Sequence, residues 1–592
     1  MKPFWKVVFG GCLGSLVAFI LINLIIFGIL GSAISSLTKG SDSQPSVPKN
    51  AILRIDFSNP IQERNTESFS FSPISFSADM GESISLLDAI RALDAAATDP
   101  QIRFAYIKPD DMAMGVAHIE EFRAALERFR ASGKPVVVYC QNLTAGKYYL
   151  CSVADKLILN AYGDVNIAGM SSQLMYYKDL IDKLGIDVQL IRHGKYKSAG
   201  EPYIKSEMSP ENREQYEKLL GSIWKTIAET CAGSRDFTEE QLNEWIDNLV
   251  ISSPEVAKEK GLVDELWYDD QVRDYFCTLC GVKESKDLKY ISLKDYAKAR
   301  VHENMRSKNK IALIYADGEI VMNDSEGNIG NNFAKVIAEV REDPQVKAVV
   351  FRVNSPGGSV QASAAIEREI KMLKEKGIPV IASYSEYAAS GGYWISCASD
   401  KIFSDKTTLT GSIGVFGLVP SFSKALKKNV YLNVYEVATH KHGGHVNGMF
   451  PLDPEEEAVM QEQIDHTYND FVSRVCAGRG LEFDAVDAIA QGRVWAGTDA
   501  IGIGLVDELG GLTDAIDYAA SAVSLDNYRL VEYPEVKPMM ERMMSSMNDG
   551  ETDQDVRIQS AADVFTLAGN WLLNLNGPQV VSRMPVITIV LD

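Results

Sequence analysis

The chain repeats itself, and that fact limits its fold more than any other. Asp99-Pro100-Gln101-Ile102-Arg103 returns as Asp343-Pro344-Gln345-Val346-Lys347, 244 positions on. Tyr148–Lys156 returns as Tyr393–Lys401, Cys231-Ala232-Gly233 as Cys476-Ala477-Gly478, and Gly261–Leu266 (GLVDEL) as Gly504–Leu509, with shifts of 245, 245 and 243. A spacing that barely drifts over such a distance marks a fused tandem rather than chance. Within each copy, short β-branched runs such as Ala348–Val353 and Val380–Tyr384 alternate with amphipathic segments such as Ala362–Lys376. That alternation predicts βαβ units and largely parallel sheets, an α/β class, in repeats at 50–290 and 308–535.

The segments outside the repeats differ in character. Val7 to Leu30 holds no charged residue, follows Lys2 and Lys6, and precedes the next charge at Lys39. As a helix it would reach ~36 Å, enough to cross a bilayer, with the N-terminus cytoplasmic and the body exported. Gly31, Ser32 and Ala33 leave a cleaved leader open, but the run exceeds an ordinary leader core and favours a retained anchor over 1–38. Residues 39–49 read as a linker, and 536–592 as a tail with a methionine cluster and no assigned role. The formal net charge of −21 is opposite to a nucleic-acid binder's footprint, so no nucleic acid is expected as partner.

The halves diverge where chemistry would sit. Ser390, in Ala388-Ala389-Ser390-Gly391-Gly392, falls on Ala145. Ser355-Pro356-Gly357-Gly358 falls on Pro109-Asp110-Asp111-Met112. Lys197, in His193–Glu201 (HGKYKSAGE), falls near His442 or Gly443. One half keeps a serine with a glycine turn and the other keeps a lysine, a division of labour that suits serine–lysine chemistry. Ser390 follows a strand and precedes a helix start, where a hydroxyl is either a nucleophile or only an N-cap. Gly357-Gly358 is either a source of oxyanion donors or an ordinary turn. A lysine base must be neutral, which requires burial or neighbouring cations, and Lys195 competes with Lys197 for that part.

Ser355–Val360 (SPGGSV), Ala389–Tyr393 (ASGGY), Thr410–Val415 (TGSIGV) and Tyr196–Pro202 (YKSAGEP), set in a fused repeat, resemble the long form of the signal peptide peptidase A family, serine peptidase family S49, over about residues 5–535. The resemblance implies tandem ClpP/crotonase-like repeats, with the first supplying the lysine and the second the serine. It implies Ser390 as nucleophile, Lys197 as general base, Gly357 with Gly391 as oxyanion donors, and Ser412 as the hydroxyl that orients the lysine. Ser412 faces Ile167 in the first repeat, so its retention is one-sided too. Further implications are a homotetramer on the outer face of the bacterial cytoplasmic membrane, cleaved signal peptides as substrate, and no cofactor or metal.

Three other readings compete. A crotonase-type acyl-CoA enzyme would share the repeats but has no need of an export signal. A Ser-His-Asp peptidase would draw its base from seven histidines, with His440–His445 (HKHGGH) the tempting cluster, although its glycines suggest a loop or a weak metal site. An inactive membrane scaffold would be expected to lack Ser390 or Lys197. The eight cysteines are scattered, mostly in apolar runs, and read as free thiols; Cys277-x-x-Cys280 lacks the second pair of a zinc site.

Overall fold

The computed structural model describes residues 45–536, apart from 66, 73–76, 324–327, 331 and 445, together with 580–583. The apolar run Val7–Leu30 and the methionine cluster lie outside the described residues. Among the described residues, no helix is long and apolar enough to cross a membrane.

Two parallel sheets carry the repeats, and their strand orders correspond. The first runs Glu265–Trp267, Lys156–Asn166, Val136–Thr144, Ile102–Ile107, Ala51–Ile55, Lys289–Ser292. The second places Glu508–Leu509, Lys401–Ser404, Val380–Ala389, Val346–Ser355, Lys310–Asp317 and Arg529–Tyr533 in the same sequence of neighbours. Leu409–Gly411 pairs parallel with Tyr387–Ala389, the C-terminal end of Val380–Ala389, and Val494–Ala496 pairs antiparallel with Leu409–Gly411.

The strands are buried on both faces, as a parallel sheet covered by helices must be. In Val346–Ser355, Val349, Phe351 and Val353 pack with Ile337, Ile366 and Ile370 of the helices Phe333–Glu342 and Val360–Glu375. Ala348 and Val350 point the other way, against Leu512, Ala515 and Ile516 of Leu512–Ala522. The alternation of period two therefore feeds two cores from one strand. Ser359 starts Val360–Glu375 by accepting the amide of Ala362 at 3.3 Å.

A third, smaller sheet joins the halves. The lysine strand, Asp187–His193 of the first repeat, pairs antiparallel with Val415–Ser421 of the second, from Val415 opposite His193 to Ser421 opposite Asp187. On the other edge of Val415–Ser421 lies the tail strand Val580–Arg583, which also pairs antiparallel with Gly357–Ser359.

A buried ionic lock holds the repeats together as well. Arg352, fully buried in Val346–Ser355, donates from Nε to Glu63 Oε1 at 2.6 Å and from Nη2 to Glu121 Oε1 at 2.5 Å. Both carboxylates belong to the first repeat. His118 Nε2 reaches Glu63 Oε2 at 2.8 Å, and the other oxygen of Glu121 accepts the amide of Leu512 at 2.6 Å. Burial alone would raise the Glu63 carboxyl, but Arg352 and His118 hold it well below the usual range. Burial alone would lower His118, but its bond to Glu63, together with the charge of Glu386, lifts it to about 9. The buried pairing of Arg352 with Glu63 and Glu121, and of His118 with Glu63, favours one orientation of the halves, because any other leaves these ions unpaired in a dry core.

The described cysteines are all free thiols. Burial pushes Cys151 and Cys397 up to about 12, which suits inert core thiols.

Candidate active site

Ser390 sits on a sharp corner. The strand Val380–Ala389 ends just before it and the helix Gly391–Ser396 begins just after it. At the corner Ser390 takes φ 57° and ψ −116°, in the left-handed half of the map that costs a non-glycine residue about 1–3 kcal/mol. The corner is held by the Ser390 amide, which donates to Gly411 O at 2.8 Å. The hydroxyl makes no capping bond to the helix behind it, so Ser390 is not there as an N-cap.

The two glycines after it are dictated by close approach. A Cβ on Gly392 would lie 2.5 Å from Ser355 O, and one on Gly391 would lie 3.0 Å from the Gly358 nitrogen. The turn Gly357-Gly358, both at positive φ, therefore presses against the helix start beside Ser390. Gly357 N–H rests on Ser355 Oγ at 3.2 Å, a long bond within the turn.

Lys197 reaches this corner from the other repeat. Its Nζ lies 2.6 Å from Ser390 Oγ, 2.9 Å from Ser412 O and 3.0 Å from Ser412 Oγ. All three residues are fully buried. Burial, with no compensating carboxylate among the described residues, pushes the Lys197 amine well below its ordinary value. A neutral amine has two N–H groups and one lone pair. The two oxygens of Ser412 take the N–H groups, and the Ser390 hydroxyl can give its proton to the lone pair. Ser412, like Ser390, has positive φ (51°), and its amide donates to Arg493 O at 2.7 Å. Lys195 is exposed, with its ammonium over the Tyr196 ring, and does not enter the site.

The lysine backbone is seated by contacts the sequence reading missed. The Tyr196 amide donates to Gln491 O at 2.9 Å, and Arg192 Nη1 to Lys197 O at 2.8 Å. A Cβ on Gly492 (φ 79°) would lie 2.6 Å from both N and Cβ of Lys197, and one on Gly414 would lie 3.2 Å from its Cδ. Gly492 faces Asp247 to Leu249 in the first repeat under shifts of 245 to 243, so comparing the halves could have singled it out. Gly414 matches Gly169 and could not have been found that way.

His118, His193, His440 and His442 stand outside this cluster. His118 belongs to the ionic lock, and His193 bonds Asp465 at 2.7 Å and stacks on Tyr468. His440 is exposed beside Thr439. His442 stands near Asp453 and Glu456, with candidate ligand atoms within 4.8 Å of one another. Those two carboxylates are already used in the capping box of Pro454–Arg479, so an N-cap accounts for their placement.

A strained serine with a buried amine against it and a glycine turn alongside is an arrangement that a hydrolase working through a serine could use. A profile of peptidase family S49 matches residues 128–283 and 372–526, one match in each repeat. Protease 4 of Haemophilus influenzae is 31% identical over 85% of this chain and 85% of its own length. Protease 4 of Salmonella typhi is 34% identical over 77% and 76%. A chloroplastic serine protease, SPPA of Arabidopsis thaliana, is 30% identical over 84% and 75%. The chain belongs to peptidase family S49. It is a serine-type endopeptidase, and the acyl-CoA reading is set aside by that membership.

Proposed function

We propose that the protein cleaves peptides by a serine–lysine dyad assembled from its two halves, with Ser390 as nucleophile and Lys197 as general base. The observation that carries the proposal is the buried Lys197 amine, 2.6 Å from Ser390 Oγ with no carboxylate among the described residues to keep it charged. As Ser390 Oγ attacks the scissile carbonyl, its proton passes to Lys197 Nζ. Ser412 holds the amine through its hydroxyl and its carbonyl. The developing oxyanion is met by the N–H of Gly357 and that of Gly391. The ammonium then protonates the leaving amine, and the same amine activates the water that frees the acyl-enzyme. A positioned base of this kind contributes roughly 100–10,000-fold, and each oxyanion donor roughly 100–1000-fold.

The substrate is an extended chain. Gly357–Ser359 and Val415–Ser421 present edges that accept an antiparallel strand, and the chain's own Val580–Arg583 lies between them. Strand addition of this sort gives affinity through the main chain, which suits peptides of varied sequence. Cleaved signal peptides fit that requirement and match the resemblance noted above. The same resemblance and the apolar Val7–Leu30 run favour a single-pass anchor in the bacterial cytoplasmic membrane, an extracytoplasmic body, a homotetramer, and ClpP/crotonase-like repeats bounded near 50–290 and 308–535.

The test is cleavage of a fluorogenic apolar peptide by the wild type, Ser390→Ala, Lys197→Ala and His440→Ala. Loss in the first two variants and retention in the third is expected. Loss in His440→Ala with survival of Lys197→Ala would assign the base to a histidine. A wild type that cuts no peptide would favour the scaffold reading.

A further inference from the structure

Arg493, the residue after Gly492, touches the neighbours of the dyad in two directions. Its carbonyl accepts the amide of Ser412 at 2.7 Å, and the Gly492 amide donates to Ile413 O, also at 2.7 Å. Ser412, which takes the N–H groups of the lysine, is thus tied to this segment by the main chain. The Arg493 side chain turns toward the lysine's own neighbour, Tyr196. Its guanidinium lies 4.8 Å from the centre of the Tyr196 ring and 4.6 Å from that of Trp495. Nη1 donates to the Tyr196 hydroxyl at 3.3 Å and pairs with Glu214 Oε1 at 3.0 Å. The same hydroxyl donates to Glu214, 3.2 and 3.1 Å from its two oxygens. Lys195 also stands over the Tyr196 ring, at 5.1 Å, but is exposed.

The parts of this clamp are themselves fixed. Trp495 Nε1 donates to Ile489 O at 2.9 Å, and the amide between the two stacked residues, that of Val494, donates to buried Gln215 Oε1 at 2.8 Å. Gln215 and Glu214 sit side by side on the helix Pro210–Ser234 of the first repeat, so the clamp crosses between the halves. As an ion pair it adds little to stability, because the Glu214 side chain is 55% exposed. What a guanidinium supplies here is a flat face that fits between two rings, which an ammonium cannot replace. The aligned halves keep the clamp on one side only. Under shifts of 245 to 243, Arg493 faces Asn248, Leu249 or Val250, and Glu214 faces Val459 at 245. The clamp is present around the pair of residues that meet and missing from the other half of each repeat, as the serine and the lysine are.

We propose that Arg493 is a positioning residue for the reaction: its guanidinium, held between the Tyr196 and Trp495 rings, sets where Lys197 stands, and its carbonyl sets where Ser412 stands. The proposal rests on the serine–lysine reading and names what aligns that pair. Lys197 Nζ must meet Ser390 Oγ and both oxygens of Ser412 within 3.0 Å at the end of a long, flexible side chain. A tilt of the Tyr196 backbone carries over to the next residue and displaces the amine. Because one residue grips both Tyr196 and Ser412, the base and its acceptors move together or not at all. Arg493 touches neither Ser390 nor the Lys197 amine among the described residues, so it acts through Tyr196 and Ser412 alone.

The test is steady-state cleavage of a fluorogenic peptide across pH by the full chain in detergent, with melting curves as a check on folding. Arg493→Met is expected to lower kcat by about 10–100-fold, with KM within about twofold and a melting temperature near the wild type's. Its kcat should also level off at a higher pH than the wild type's, since an amine let out toward water loses part of the burial that lowers it. A residue that only supports the fold would leave that pH unmoved. Arg493→Lys keeps the charge but not the flat face, and is expected to stay near the Met variant. It carries the same comparison if Arg493→Met does not fold. Tyr196→Leu/Arg493→Met should be no slower than the slower single variant, because both act on one element. Wild-type kcat in folded Arg493→Met, full activity in Arg493→Lys, or losses that multiply in the double variant would overturn the proposal while leaving Lys197→Met inactive. Wild-type kcat in Lys197→Met would instead overturn the serine–lysine reading, and this proposal with it.

Discussion

Lys197 Nζ and Ser390 Oγ lie 2.6 Å apart although 193 positions separate them in the chain. Each comes from the repeat in which the other is missing, and the contact exists only because the halves are locked together. Stability of the interface and chemistry at the site are thus coupled, and the predictions below separate them.

The amine should act only when neutral. Its pKa lies below the ordinary lysine value of 10.5, so kcat should rise with pH and level off at a pH well below 10.5. The stability sign follows from the same shift. Between the folded and unfolded values the unfolded chain binds more protons, so stability rises with pH across that window and is lower beneath it. Lys197→Met should therefore be inactive yet melt at a temperature no lower than the wild type at neutral pH, as read by calorimetry. A marked fall in melting temperature would mean the lysine is there to hold the fold.

Gly492 has no room for a methyl group, because the space is occupied by the Lys197 backbone. Gly492→Ala should displace the lysine and lower kcat by about 100-fold or more, since misplacement by about 1 Å costs that much. KM should change little if the peptide binds, as proposed, along the edges of Gly357–Ser359 and Val415–Ser421. Steady-state kinetics on a fluorogenic peptide read both constants.

Ser412→Ala removes one of the two acceptors that orient the amine and leaves the carbonyl. A loss of about tenfold in kcat is expected, the worth of one hydrogen bond of ~1.4 kcal/mol. Ser412→Thr should restore part of it.

Arg352→Met strips the charge from between Glu63 and Glu121 and leaves two buried carboxylates facing each other. Breaking such a lock should cost about 3–5 kcal/mol in denaturant unfolding. His118 contributes with the opposite pH sense. Its raised pKa gives stability that is present below the ordinary value of 6.5 and lost as pH passes through about 9. His118→Gln should flatten the alkaline side of the stability profile and leave the neutral side lower.

The tail strand Val580–Arg583 lies along the edges of Gly357–Ser359 and Val415–Ser421, which we propose as the substrate's own. A chain ending at residue 536 should show a higher kcat/KM on peptides, through a lower KM. An unchanged KM would mean the strand does not compete with substrate.

The sequence carried the repeat and the parallel α/β class, and it offered Ser390, Gly357 and Lys197 as candidates through differences between aligned halves, whereas Gly391 and Ser412 rested on the family resemblance. It left Ser390 open between nucleophile and cap, and the corner backbone that speaks against a cap is a tertiary feature, held by the bond from the Ser390 amide to Gly411 O. Lys195 and Lys197 were equivalent in composition, and only the seat made by Gln491, Gly492 and Gly414 separates a buried amine from an exposed one. Arg352 was hidden in an apolar strand, as its partners lie in the other repeat. Val580–Arg583 gave no signal, because a four-residue strand is defined by the edges it meets.

The central claim, that a neutral Lys197 activates Ser390, is tested most directly by the rate at which a fluorophosphonate labels Ser390 as a function of pH. In the wild type that rate should rise with pH and level off well below 10.5, with the label located on Ser390 by peptide mapping. In Lys197→Met labelling should be slower by about 100-fold or more, without the plateau. Labelling of Lys197→Met at the wild-type rate would contradict the account.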